Sequence, residues 1–171
     1  MKKLYLNTAI VVIVFLFAIM FIFIRRDKGV KEFDRTFGLE LPEGTISEKL
    51  YDNYTGFPYE GMRLYRFIFT AQGERQFISN ATSNAKWNVL PLTEIMEVLM
   101  YGGMIEDRNY SFRFAEKVGL PRITNGYWKV VSDNLIETTK LKDLENIRSF
   151  EFSLAIYDIN NGVLYMFKIN T

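Results

Sequence analysis

From Leu4 to Ile24 the chain reads LYLNTAIVVIVFLFAIMFIFI, and from Ala9 to Ile24 it holds no polar side chain. As a helix, a run of that length would rise about 31 Å, matching a bilayer hydrocarbon core of about 30 Å. A core helix of a water-soluble domain would keep a polar stripe, whereas this run is apolar all round. A cleavable leader would carry an apolar region of about 7–15 residues and a small-x-small site, and Phe17-Ala18-Ile19-Met20-Phe21 offers none. The run is read as one uncleaved transmembrane helix over residues 4–24, in contact with the lipid bilayer, behind a short tail of residues 1–3.

Charge divides along the same line. Before Phe37 stand Lys2, Lys3, Arg25, Arg26, Lys28, Lys31 and Arg35 against Asp27, Glu32 and Asp34, while the remainder is mildly acidic, so the net charge of +1 conceals a basic collar. Residues 25–36 are therefore expected to form a basic juxtamembrane linker, with Arg25, Arg26, Lys28 and Lys31 against anionic head groups. The acidic remainder lacks the electrostatic footprint of a nucleic-acid binder. Residues 37–171 are expected to form one domain, large enough for a self-supporting core.

The flanks oppose each other on orientation. Two bases precede the span and five follow it, which by the positive-inside rule would keep the domain in the cytoplasm. A short Met1-Lys2-Lys3 head before a span is also how an exported signal-anchor begins. The reading taken is a single-pass protein of the cell membrane with its domain on the extracytoplasmic side.

The chain has neither cysteine nor histidine, which excludes disulfides, thiolate nucleophiles and the usual zinc and copper ligands. No cofactor or metal is expected. Glu94 and Glu97 share the solvated face of a predicted helix and lack the burial that separates the pKa values of a catalytic pair; Glu106 and Asp107 form a second close pair. A serine nucleophile has no histidine base, which leaves a serine–lysine pair as the nearest hydrolytic arrangement. Three Asn-x-Ser/Thr triplets begin at Asn53, Asn80 and Asn109 and matter only in a glycosylating compartment.

Local patterns predict an α+β domain: an antiparallel sheet of about five or six strands with one or two helices packed on one face. Phe37 to Gly44 reads as a linker passing into an edge segment. Thr45 to Asn53 and Met62 to Ala71 read as strands, with Ile46 and Leu50 toward one side of the first. Gly73 to Asn80 reads as a short helix and Ala81 to Lys86 as a loop. Leu92 to Tyr101 is a helix started by Pro91 and Thr93 and stopped by Gly102-Gly103, its apolar stripe (Leu92, Ile95, Met96, Leu99, Met100) packed on the sheet. Tyr110 to Ala115 and Arg122 to Ser132 read as extended, with a hairpin turn at Asn125-Gly126, and Thr138 to Ile147 as one or two helical turns. Phe150 to Asp158 and Val163 to Ile169 form a hairpin; with Asn161-Gly162 as a two-residue turn, Ile156 faces Phe167, Leu154 faces Ile169 and Ala155 faces Lys168.

Aromatic residues are in excess, and the loop group Tyr54, Phe57 and Tyr59 is not explained by strand alternation. Together with Glu60 it is the predicted binding surface, since rigid aromatics contribute contact area at low entropic cost. The opposing reading folds the loop over the sheet with its rings buried.

Several segments resemble a family of small, uncharacterised membrane-anchored proteins of Gram-positive bacteria. They are Gly56-Phe57 with Glu60-Gly61, Trp87-Asn88-Val89-Leu90-Pro91-Leu92, Asn125-Gly126-Tyr127-Trp128, and Ser149-Phe150-Glu151-Phe152 through Ala155-Ile156-Tyr157-Asp158 to Leu164-Tyr165. Similar members have a second glycine before the Gly-Phe pair and a His-Gly-Asp-Gly run after it; here Thr55 and Pro58-Tyr59-Glu60-Gly61 stand instead. The resemblance implies the domain boundary and no activity. The function expected is a non-enzymatic binding or accessory module for an unknown protein or envelope ligand. The alternatives are a membrane-tethered immunity-type toxin binder and a metal-independent hydrolase.

Overall fold

The computed structural model describes residues 27–55, 60–83, 87–105, 107–132, 144 and 147–171. The run at 4–24, the turns expected within Thr138 to Ile147 apart from Leu144 and Ile147, and the side chains of Phe57, Tyr59 and Glu106 lie outside them. No helix among the described residues is long and apolar enough to cross a membrane.

The elements follow in the order α1 (Lys28–Phe37), β1 (Ile46–Asp52), β2 (Gly61–Ile68), α2 (Ala71–Ser83), β3 (Asn88–Val89), α3 (Glu94–Tyr101), β4 (Gly103–Ile105), β5 (Arg108–Tyr110), α4 (Phe114–Val118), β6 (Gly126–Ser132), β7 (Glu151–Asp158) and β8 (Val163–Asn170). Six strands form one sheet in the order β1-β2-β8-β7-β6-β3, and β4 and β5 form a separate pair. All ladders of the large sheet are antiparallel. The final strand β8 thus sits between β2 and β7 and joins the two halves of the chain.

Helices cover both faces of the sheet, not one. On the first face Phe33 and Phe37 of α1 and Phe77 of α2 pack with Phe67, Tyr157 and Met166. On the second, Met96 and Leu99 of α3 and Phe114 of α4 pack with Leu64, Leu154 and Phe167. The cause lies in β7. On the first face it carries Ser153, Ala155 and Tyr157, none of them charged, and every residue from Phe152 to Asp158 is buried.

The linker expected over 25–36, with the domain starting at Phe37, is corrected by α1. Val30, Phe33 and Phe37 recur at the spacing of one helix face and are buried at 3%, 0% and 3% exposure, so from Lys28 onward the collar is part of the folded domain, with its cations on the outer face. Asp27 caps the helix, its Oδ1 accepting from Gly29 N at 2.8 Å and also from the Ser47 hydroxyl of β1. A Cβ at Gly29 would strike Ser47, so glycine allows α1 to lie against β1. At the other end the buried Lys129 Nζ donates to the Phe37 carbonyl at 2.7 Å, a cation at the negative pole of the helix. Helix α1 therefore crosses the strands from β1 to β6.

Other expectations hold with changed bounds. Thr93 caps α3, its hydroxyl accepting from Met96 N, and Gly102 ends it. Helix α2 is longer than expected, running through Ser83 into the stretch read as a loop. The last hairpin is present with four loop residues: Asp158 pairs with Val163, which sets Ile156 opposite Tyr165, Leu154 opposite Phe167 and Ala155 opposite Met166. The Asp158 carboxylate accepts from Asn160 N and Asn161 Nδ2, and its carbonyl from Gly162 N. The displacement from the expected register is two residues, so every side chain keeps its face.

The hairpin expected at Asn125-Gly126 is absent. Gly126 instead opens β6, opposite Asp158. A Cβ at Gly126 would run into the Tyr157 carbonyl, so the glycine serves close strand approach rather than a turn. Tyr110 ends β5, and Phe114 and Ala115 lie in α4, not in an extended segment.

Candidate functional site

The sheet registers align Asp52, Arg63, Lys168, Ser153 and Val131 in one row across five strands, on the face that carries α1. Glu32 of α1 reaches down to this row. Arg63 Nη1 lies 3.2 Å from Glu32 Oε2, and Arg63 Nε lies 3.1 Å from Asp52 Oδ1. Lys49 Nζ donates to Asp52 Oδ2 at 2.7 Å, and Lys168 Nζ stands 3.7 Å from Glu32 Oε1. Lys49, Arg63 and Lys168 thus alternate with Asp52 and Glu32 in a chain that holds one more cation than carboxylates.

Tyr54 sits at the end of this chain. Beyond Asp52 and Gly61 the β1–β2 hairpin outruns the sheet, whose neighbouring strand β8 ends opposite Gly61 at Asn170. Tyr54 N donates to Asp52 Oδ1 at 3.2 Å, and Thr55 N donates to the Glu60 carbonyl at 3.0 Å across the loop. The Arg63 guanidinium lies 4.7 Å from the Tyr54 ring centroid, a cation–π contact. Tyr54 is half-buried, and its hydroxyl has no hydrogen-bond partner among the described residues. Burial pushes the phenol up to about 12, against the opposing pull of Arg63 and with help from Glu32, Glu151 and Asp52. Burial also works to raise the Asp52 carboxyl, but hydrogen bonds from Lys49 and Arg63 outweigh it and hold the group below its ordinary value.

Of the four residues predicted as a binding surface, Tyr54 and Glu60 are described. Glu60 is exposed. Tyr54 is neither free at the surface nor folded into the core: one side of the ring meets Arg63. The residues that hold it, Glu32, Asp52 and Arg63, were absent from the predicted surface. Arg63 and Glu32 are 31 positions apart, so no local spacing signals their pairing.

Beside the row lies a shallow hollow of about 150 Å³, lined by Val131, Ser132, Glu151, Ser153 and Lys168 among others. Ser153 and Lys168 are cross-strand partners here, a serine beside a lysine. A dyad lysine must be desolvated and neutral to accept a proton. Lys168 is instead about one-third exposed and ion-paired with Glu32. The Glu94–Glu97 pair is split by function: Glu94 is exposed, while Glu97 Oε1 accepts from Arg122 Nη2 at 2.9 Å. Among the described residues no group of three or more carboxylates could hold a metal ion.

Comparison with protein-family models, with curated proteins and with solved structures finds no match to this chain. Its chemistry has to be read from the arrangement itself.

Proposed function

We propose that this chain is a single-pass membrane protein of the cell envelope whose α+β domain is a non-enzymatic binding or accessory module, with the tip of the β1–β2 hairpin as its contact surface. The observation that carries the reading is the clamp on Tyr54. An aromatic ring in the β1–β2 connection is held by an arginine that two carboxylates fix in place, which is preorganisation for binding. The resemblance to small membrane-anchored proteins and the apolar run at 4–24 agree with it, and an immunity-type toxin binder is one form it takes.

The test is site-specific photocrosslinking in intact cells from position 60, with the exposed Glu116 of α4 as the comparison position. A partner adduct formed from position 60 alone and lost in Tyr54→Ala supports the reading. Equal adducts from both positions, or none from position 60, overturn it. Protease treatment of spheroplasts carrying a tag after Thr171 decides the side: digestion from outside places the domain extracytoplasmically. A hydrolytic activity abolished by Ser153→Ala would favour the hydrolase alternative at the hollow.

A further inference from the structure

Among the described residues, the large exposed apolar side chains include Ile46 and Leu50, at 59% and 45% exposure, both on the edge strand β1. The β1–β2 ladder shifts register between Lys49 and Tyr51, so Leu50 bulges off it. Exposed apolar residues on an open sheet edge invite unwanted pairing unless something covers the edge.

The chain itself says what lies there. The apolar run ends at Ile24, and Asp27 is fixed to Ser47 of β1 through its carboxylate. Three residue steps span at most about 10 Å, and the head-group layer on each side of a bilayer is about 5–7 Å deep. Asp27 therefore cannot leave the vicinity of the head groups, and neither can Ser47 or its neighbour Ile46. Asp27 has non-helical backbone angles (φ −50°, ψ 142°), so α1 starts anew there and does not continue a helix from the run. Lys28 and Lys31 are exposed on the first turns of α1, at the corner where the chain arrives.

We propose that the β1 edge rests on the bilayer. Ile46 and Leu50 enter the head-group layer, Lys28 and Lys31 contact anionic lipid, and the domain is held in one orientation rather than swinging on a tether. This rests on the reading of residues 4–24 as a membrane span. An exposed apolar pair on the edge strand and two exposed cations on the helix tied to it through Asp27 and Ser47 suit an anionic lipid surface.

The chain has no native cysteine, so single environment-sensitive labels can be placed in the full-length protein through Ile46→Cys, Val89→Cys and Val14→Cys. Val89 is 69% exposed on β3, the opposite edge of the sheet, about 24 Å away across five strand spacings. In vesicles of phosphatidylglycerol and phosphatidylcholine bearing shallow nitroxide lipids, the label at 46 should be quenched severalfold more than the label at 89, with blue-shifted emission. The label at 14 should be shielded from water. A shielded 14 with 46 and 89 equally unquenched overturns the docking and leaves the span intact. A water-exposed label at 14 overturns the span reading and the docking with it.

Discussion

Arg63 carries more of the site than any other side chain. It is 23% exposed, paired with Glu32 and Asp52, and lies over Tyr54. Replacing it by Met should leave two partly buried carboxylates without their main partner and cost about 1–3 kcal/mol in urea unfolding. Asp52 gives the acid limb its sign. Hydrogen bonds from Lys49 and Arg63 hold its carboxyl below the ordinary aspartate range, so its contribution is present at neutral pH and is lost as pH falls through the lowered pKa. Tyr54 gives the alkaline limb the opposite sign. Its phenol stands at about 12 when folded against 10.0 in a model compound, so between those values the unfolded chain releases a proton that the folded chain retains, and stability falls with rising pH. Tyr54→Phe should reduce the slope of stability against pH over that window by one proton, read from urea melts at successive pH values. In the sequence, Tyr54 stood out as an aromatic in a loop. Arg63 did not, because in MRLYRFIFTA it reads as one polar residue of an alternating strand, and its partners come from other strands and from a helix.

At the scale of elements, α1 separates a tether from a structural part. Phe33 is fully buried and meets Phe37 and Phe67 at ring separations of 4.8 and 5.3 Å. Phe33→Ala should therefore destabilise the domain by about 3–5 kcal/mol, as a core truncation does, and a thermal or urea melt checks it. A substitution in a linker would change nothing. The helix was hidden by its own charges: Lys28, Lys31, Glu32, Asp34 and Arg35 make the collar look solvated, while the spacing of Val30, Phe33 and Phe37 was already one apolar face. The strands were more legible, since β2 and β8 alternate and the segments of β1, β2, β7 and β8 are rich in aromatic and branched residues. Asn125-Gly126 misled because a turn dipeptide and a close-approach glycine look alike until the neighbouring strand is known. Burial of β7 on both faces was legible only in the lack of charge at Ser153, Ala155 and Tyr157.

For the whole molecule, the topology predicts an order of local stability. β7 and β8 are paired on both sides and covered on both faces, so their amides should exchange with solvent only on global unfolding, whereas the outer amides of β1 should exchange first. Hydrogen exchange followed by mass spectrometry resolves this by segment. Reconstitution in anionic vesicles should slow β1 selectively if its edge rests on lipid, leaving β7 and β8 unchanged. The α+β class and an antiparallel sheet of about five or six strands follow from patterns along the chain, although the two-residue β3 does not stand out in them and Tyr110 lies outside the large sheet. The strand order does not, because the place of β8 between β2 and β7 is decided by contacts that no local pattern encodes.

The crossing of α1 over the strands has a mechanical consequence. If the domain grips a partner at the hairpin tip while its other end is held by the span, any pull between the two reaches the fold through Asp27. The load falls first on the short helix and its contacts with Ser47 and Lys129, and only afterwards on a strand. Under tension α1 would peel away as a fuse, exposing Phe33 and the sheet face beneath it while the central hairpin stayed folded.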